Sequence, residues 1–280
     1  MTRRCYLLGS PDALKHSLSP AMHNAAFHQL SLDYVYEAYD GGCLEEAVHR
    51  LRRPDVRGAN VTIPYKVEVI DYLDGLDSLA SSIGAVNTIV NDQGVLRGFN
   101  TDGTAAVRAL KGNYPGLGEA KVVLIGSGGA ARALAYCLAE ECASLVILNR
   151  SPEKAVELAE NLAKTRNTVE GGELTKESLR EGLLDAQVLI NATPLGMAPF
   201  VDKTPVPKHL LRPGILVFDI VYTPLETRLL REAREAGCRT LGGDLMFVYQ
   251  GAEAFRLWTG IEPPVGVMHK TVLKELGSGR

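Results

Sequence analysis

The chain has 280 residues, 46% hydrophobic and 22% charged, with a formal net charge of -3. That length and balance suit about two globular domains and give no electrostatic argument for nucleic acid or an anionic membrane as partner. Five cysteines (Cys5, Cys43, Cys137, Cys142 and Cys238) show neither C-x-x-C spacing nor a paired framework, and no run of about 18 apolar residues occurs. The reading is therefore against structural zinc, a disulfide scaffold or a membrane span, and for a cytoplasmic protein.

Along the chain, Tyr6 to Leu8 reads as a strand ending at Gly9, and Ser19-Pro20 starts a helix through Leu30, with proline at the tolerated first helical position. Asp33 to Tyr39 reads as a second strand, Leu44 to Leu51 as a helix and Gly58 to Ile63 as a third strand stopped by Pro64. Asp77 to Ile83 looks helical. Ala85 to Val90 and Val95 to Phe99 form a hairpin across Asn91-Asp92-Gln93-Gly94. A β/α alternation that also contains a hairpin implies a mixed sheet. Asn100-Thr101-Asp102-Gly103 opens a helix through Leu110, which Lys111-Gly112-Asn113-Tyr114-Pro115-Gly116 ends, marking a domain hinge.

The next stretch carries a cofactor signal. Val122-Val123-Leu124-Ile125 runs into Gly126-Ser127-Gly128-Gly129-Ala130-Ala131, then a helix-compatible segment to Glu141 and a second apolar run, Leu145 to Leu148. Strand, G-x-G-x-x-A turn, helix and strand in that order are the dinucleotide fingerprint. Gly126 permits the tight turn, Gly128 lets a pyrophosphate approach the backbone, and Ala131 allows close helix packing. NAD-preferring sites place an acid about 20 residues after the glycines. Here Asn149, Arg150, Ser151 and Lys154 stand there instead, a basic, donor-rich group that suits a ribose 2′-phosphate and so NADP. The plain alternative is a solvated helix start. Strands at Val188 to Asn191, Leu216 to Ile220 and Arg239 to Leu241 complete a doubly wound parallel sheet, and Leu245 to Trp258 and Val265 to Leu276 read as closing helices.

Polar residues collect at the ends of the first domain's elements, where open α/β sheets bind ligands. They lie in His16-Ser17-Leu18-Ser19-Pro20, in Asn60-Val61-Thr62-Ile63-Pro64-Tyr65-Lys66, in Gly84-Ala85-Val86-Asn87-Thr88 and in Asn100-Thr101-Asp102-Gly103. Hydroxyls, amides, one lysine and one aspartate suit a small polyhydroxylated acid. Singly, each has a plain reading: Ser19 as a helix N-cap, Thr101 or Asp102 as the next N-cap, Asn87 as a turn residue, Lys66 as a solvated charge.

Together these runs resemble the signatures of the shikimate dehydrogenase family. The resemblance continues through Gly126 to Ala131, Asn149-Arg150-Ser151, Asn191-Ala192-Thr193-Pro194-Leu195-Gly196-Met197, Asp219 with Val221-Tyr222-Thr223-Pro224-Leu225, and Gln250 with Ala254-Phe255 and Trp258-Thr259-Gly260. It spans essentially the whole chain. It implies a mixed-sheet α/β substrate-binding catalytic domain over 1–102, a doubly wound parallel (Rossmann) NADP-binding domain over 103–243, and C-terminal helices over 244–280 that return to the first domain. It also implies NADP-dependent interconversion of 3-dehydroshikimate and shikimate, with no metal.

Carried over by motif, Lys66 and Asp102 are the catalytic pair, and which of them moves the proton stays open. Ser17, Ser19, Asn60, Thr62, Asn87, Tyr222 and Gln250 surround the substrate, the paired serines holding its carboxylate. Gly126, Ser127, Gly128, Gly129, Ala130, Asn149, Arg150, Ser151, Lys154, Thr193, Ile220, Gly243 and Met246 line the cofactor. Two departures stand out: Asp244 where many members are apolar, and an individual loop at Ala198-Pro199-Phe200-Val201-Asp202. The alternatives are a quinate/shikimate dehydrogenase of the same fold and a non-catalytic NADP-binding regulator, the latter expected to lack Lys66 or Asp102. Oligomeric state is not legible, and a homodimer is kept in view.

Overall fold

The computed structural model describes residues 1–39, 41–163 and 168–278. It divides into two compact units, Met1–Asp102 with Val248–Arg280, and Gly103–Phe247.

The first unit is built on a six-stranded mixed sheet. Its chain order is β1 (Arg3–Leu8), α1 (Pro11–Lys15), α2 (Ser19–Gln29), β2 (Tyr34–Ala38), α3 (Leu44–Leu51), β3 (Val56–Val61), β4 (Gly75–Leu76), α4 (Ser78–Ile83), β5 (Thr88–Asp92) and β6 (Val95–Phe99). Spatially the strands run β2-β1-β3-β5-β6-β4. β1 pairs in parallel with β2 and β3, while β3/β5 and β5/β6 are antiparallel. In α3, Leu44, Ala47, Val48 and Leu51 are buried, the i, i+3, i+4, i+7 stripe of a helix lying on a core. They pack with Tyr6, Leu8, Val56, Val61, Ile89 and Leu96, each large side chain contributing about 1.5–3 kcal/mol of burial.

The hairpin closes more tightly than the expected four-residue loop. Gln93 and Gly94 alone form the turn, at φ 51° and 94°, because two left-handed residues match the strand twist. The edge strand β2 is shielded by a side chain. Asn24 Oδ1 accepts from the Tyr36 N–H at 2.8 Å and its Nδ2 donates to the Tyr36 carbonyl at 2.9 Å, so the amide occupies backbone groups that would otherwise recruit another strand.

The second unit runs α5 (Asp102–Asn113), β7 (Lys121–Ile125), α6 (Gly129–Ala139), β8 (Ser144–Asn149), α7 (Pro152–Ala163), β9 (Val169–Glu173), α8 (Lys176–Leu183), β10 (Val188–Asn191), β11 (Leu216–Asp219), α9 (Arg228–Glu235) and β12 (Arg239–Leu241). Its six strands are all parallel in the order β12-β11-β10-β7-β8-β9. Val122 to Ile125 are wholly buried, as a central strand covered on both faces requires. β9 was not expected, since Val-Glu-Gly-Gly-Glu lacks an apolar pattern. Its Gly171 lies so close to α7 that a Cβ would sit 2.2 Å from the Ala155 carbonyl, so the glycine is there for packing. The two-residue β4 likewise carries no sequence signal, whereas the short α1 has one in Ser10-Pro11, a side-chain N-cap followed by proline at the first helical position.

α10 (Asp244–Thr259) and α11 (Val265–Ser278) close the chain. α11 packs along α2, and Trp258 of α10 is 1% exposed and donates its indole N–H to the Ile89 carbonyl at 2.9 Å. No described helix is long and apolar enough to cross a membrane.

Candidate active site

Lys66 follows the end of β3 and the bond between Ile63 and Pro64, which is cis. Its carbonyl accepts from the Val86 N–H at 2.7 Å, which holds it beside Asn87. Its Nζ donates to Asp102 Oδ2 at 2.6 Å, and the two side chains are 23% and 9% exposed. Among the described residues that carboxylate is its one hydrogen-bond partner, so the ammonium keeps further protons for a ligand. Asp102 is the first residue of α5. Its N–H donates to Asn100 Oδ1 at 3.1 Å, and Asn100 Nδ2 donates to the Ala85 carbonyl at 3.0 Å. The Asp102 carboxylate itself goes to Lys66 and Asn87.

Asn87 is buried and bonds on every side. Its Oδ1 accepts from the Thr101 N–H at 2.9 Å, and its Nδ2 donates to Asp102 Oδ1 at 2.8 Å and Thr101 Oγ at 3.0 Å. Because the Thr101 amide can only donate, the orientation of the Asn87 amide is fixed. Thr101 in turn donates to the Gln250 carbonyl at 3.1 Å, which brings α10 to the same place. Asn60, 5% exposed, donates to the Asn87 carbonyl at 3.2 Å and Thr88 Oγ at 3.1 Å.

Ser19 is not a helix N-cap. Leu18 occupies that position without a side-chain bond, and Ser17 Oγ accepts from the Ser19 N–H at 3.2 Å, so the two serines lie together with the Ser19 hydroxyl not spent on the helix. Thr62 N–H donates to the Leu8 carbonyl at 2.8 Å. Lys66, Asp102, Asn87, Asn60, Thr62, Ser17, Ser19 and Gln250 all belong to the first unit. Tyr222 belongs to the second, its ring stacked on Phe247 at 4.5 Å.

In the second unit the loop after β7 has the shape a dinucleotide needs. Gly126 has φ 116°, and a Cβ there would meet the Ala192 carbonyl at 3.0 Å. At Gly128 and Gly129 a Cβ would meet nothing within 4 Å. Gly128 caps α6 and has no side chain to occupy the N–H groups of the first turn, which suits a pyrophosphate site. Ser127 and Ala130 are half-buried beside them. At the end of β8, Asn149 Nδ2 donates to the Ser151 carbonyl at 3.0 Å. Arg150 and Lys154 are exposed and form no ion pair among the described residues. These residues fit a dinucleotide bearing a 2′-phosphate. Gly243 lies against Ile220, the residue after β11: a Cβ would stand 2.1 Å from the Ile220 carbonyl, which admits only glycine. Met246 is 7% exposed nearby in α10.

Sequence reasoning left Asn191 and Asp219 without roles. They end the adjacent strands β10 and β11 and are wholly buried. Asp219 Oδ1 accepts from Asn191 Nδ2 at 2.9 Å and the Val221 N–H at 3.1 Å, and Oδ2 accepts from the Thr227 hydroxyl at 2.7 Å. Burial pushes the Asp219 carboxyl up to about 6 against these hydrogen bonds. Asn191 Oδ1 accepts from the Thr193 hydroxyl at 2.7 Å, so the pair shapes the Thr193 loop. A polar residue closing an apolar strand was the available signal.

Comparisons with known proteins agree along the chain. Residues 7–89 match the family described as shikimate dehydrogenase substrate binding domain, 108–222 match shikimate / quinate 5-dehydrogenase, and 246–273 match shikimate 5'-dehydrogenase C-terminal domain. The shikimate dehydrogenase (NADP(+)) of Methanosarcina barkeri is 48% identical over 272 residues, covering 95% of this chain and 96% of the relative. The crystal structure of shikimate 5-dehydrogenase from Listeria monocytogenes, in complex with shikimate and NAD, superposes with a TM-score of 0.89 at 40% identity over 96% of both chains. That of the Thermus thermophilus enzyme with NADP(H) and shikimate gives 0.86 at 37% identity, covering 98% of this chain and 99% of the other. With these motifs, this fold and this span of likeness, the chain belongs to the shikimate dehydrogenase family.

Proposed function

We propose that the chain catalyses the reversible, NADP-dependent reduction of 3-dehydroshikimate to shikimate in aromatic amino acid biosynthesis. It does so as a cytoplasmic enzyme whose ligands are small molecules, with a homodimer as the assembly to test by light scattering. The observation that carries the reading is the Lys66–Asp102 pair, 2.6 Å apart and braced by Asn87, in a chain that matches the family over residues 7–89, 108–222 and 246–273.

NADPH, when bound, supplies the hydride that reduces the ketone carbon. Negative charge then develops on the ketone oxygen, and the Lys66 ammonium stabilises it and delivers a proton from Nζ. Asp102 draws one Nζ proton to itself, which orients the others, and Asn87 prevents the carboxylate from rotating away. In the reverse direction Lys66 withdraws the hydroxyl proton as hydride leaves. Asp102 is the alternative proton carrier, with Lys66 then acting by charge.

Ser17 and Ser19 hold the substrate carboxylate through hydroxyls, and Asn60, Thr62, Gln250 and Tyr222 take its ring hydroxyls. Gly126, Ser127, Gly128, Gly129 and Ala130 cradle the pyrophosphate. Asn149, Arg150, Ser151 and Lys154 receive the adenosine end with its 2′-phosphate, and Thr193, Ile220, Gly243 and Met246 line the remainder. Following NADPH formation from shikimate, beside quinate and beside NAD, tests reaction, substrate and cofactor together. Turnover with shikimate and NADP is expected to dominate, and no activity with shikimate would overturn the reading.

A further inference from the structure

Tyr36 is a strand residue that pattern reading assigns to the core, and its ring is buried there: it stacks on His23 at 4.5 Å and 11° and lies 5.9 Å from Trp258. Its backbone is clamped by Asn24. With ring and backbone held from both sides, its hydroxyl is fixed in place, where it donates to Asn60 Oδ1 at 2.9 Å and also meets the Ser19 side chain.

The hydrogen inventory makes that bond informative. Asn60 Nδ2 donates to the Asn87 carbonyl and to Thr88 Oγ. A carbonyl can only accept, so the Asn60 amide cannot be turned over without losing that bond and facing its NH2 toward the tyrosine hydroxyl. Both Nδ2 protons are thus used inside the protein, and Oδ1 receives the Tyr36 proton on one lone pair. What Asn60 has left is the second lone pair of Oδ1. The residue confronts a ligand as an acceptor only.

We propose that Tyr36 is a positioning residue for substrate binding: it fixes which atom of Asn60 is left to bond, the Oδ1 acceptor, so that the site selects a substrate group that donates, namely a ring hydroxyl. The inference rests on the reading of Asn60 as a substrate-binding residue. His23 belongs to the same device. It is wholly buried, and although the Asn60 amide lies beside it, neither ring nitrogen has a hydrogen-bond partner of acceptable geometry. It therefore works as a flat apolar wall for the Tyr36 ring.

The test is a double-mutant cycle on the full chain, with steady-state kinetics using shikimate and NADP. Tyr36→Phe keeps every ring contact and removes one hydroxyl. It is expected to raise the KM for shikimate about tenfold, the effect of freeing a buried hydrogen-bonded amide, with the KM for NADP unmoved. In an Asn60→Ala background the same change should have a much smaller effect, because only the Ser19 contact is then left to lose. Equal effects of Tyr36→Phe in both backgrounds would overturn the inference while leaving the catalytic reading intact. So would a Tyr36→Phe chain that no longer melts cooperatively, since the hydroxyl would then serve the fold. Asn60→Ala with unchanged kinetics would overturn the substrate-binding role of Asn60 and the inference with it, and a wild-type chain without shikimate oxidation would overturn the catalytic reading as well.

Discussion

Asp102 divides its two oxygens between two partners, Oδ2 accepting from Lys66 Nζ at 2.6 Å and Oδ1 from Asn87 Nδ2 at 2.8 Å. The carboxylate is therefore fixed in plane, and the lysine is aimed by a group that cannot swing. Lys66→Ala is expected to lower kcat by about a thousandfold, within the range for a lost acid-base group, with only a modest change in the KM for shikimate. Steady-state NADPH formation checks this. Asn87→Ala should lower kcat less, by about tenfold, because the ion pair persists with a looser carboxylate.

Arg150 stands exposed at the end of β8 with no ion pair among the described residues. Its removal costs the protein no internal ion pair there, so its loss should be felt by the cofactor alone. Arg150→Ala is expected to raise the KM for NADP by about tenfold or more, the scale of a lost charge-assisted contact to phosphate, with the KM for NAD nearly unchanged. Kinetics with the two cofactors separate this outcome from a general loss of binding.

Gly58 in β3 lies under Trp258. A Cβ there would meet the Ile89 carbonyl at 2.0 Å and the indole nitrogen at 2.6 Å, the two partners of the bond that fixes α10 to the sheet. Neither is a flexible side-chain end that could move aside. Gly58→Ala should therefore destabilise the first unit by about 3 kcal/mol, the upper range for overpacking. Urea unfolding followed by the fluorescence of the single tryptophan reads the change directly.

Two buried groups give opposite pH dependences. Burial raises Asp219 from 3.8 to about 6, so the folded chain holds this proton more firmly than the unfolded one. Its contribution is fully present below about pH 4 and lost as pH rises through about 6, by on the order of 3 kcal/mol. Burial lowers His23 from 6.5 to about 3. Its contribution is present above about pH 6.5 and lost as pH falls toward 3, by on the order of 5 kcal/mol. Relative to the wild type, Asp219→Asn should lose its stability deficit as pH rises from 4 to 6, whereas His23→Phe should gain as pH falls from 6.5. Urea melts at stepped pH check both signs.

Much of this protein is legible in its residues. The G-x-G-x-x-A turn between apolar runs announces the nucleotide loop because only small residues permit it, and Asn149 and Arg150 in place of an acid suit NADP because charge must be matched locally. The polar runs around Ser17, Asn60, Asn87 and Asp102 could be found as clusters because each closes or opens an element.

Local sequence could not say how those clusters share their hydrogen bonds. That the Asp102 carboxylate goes to Lys66 and Asn87, that Ser19 is no cap, and that the Tyr36 hydroxyl meets Asn60 all depend on residues far apart in the chain meeting in one buried place. The same holds for β9, whose Gly171 looks like a loop residue until α7 lies against it. Composition, periodicity and turn chemistry are properties of neighbours in sequence, and they determined most of the elements and the nucleotide loop, while the set of candidate residues came with the family resemblance. Donor and acceptor assignment, burial and pKa are properties of neighbours in space, and only the tertiary structure decided those.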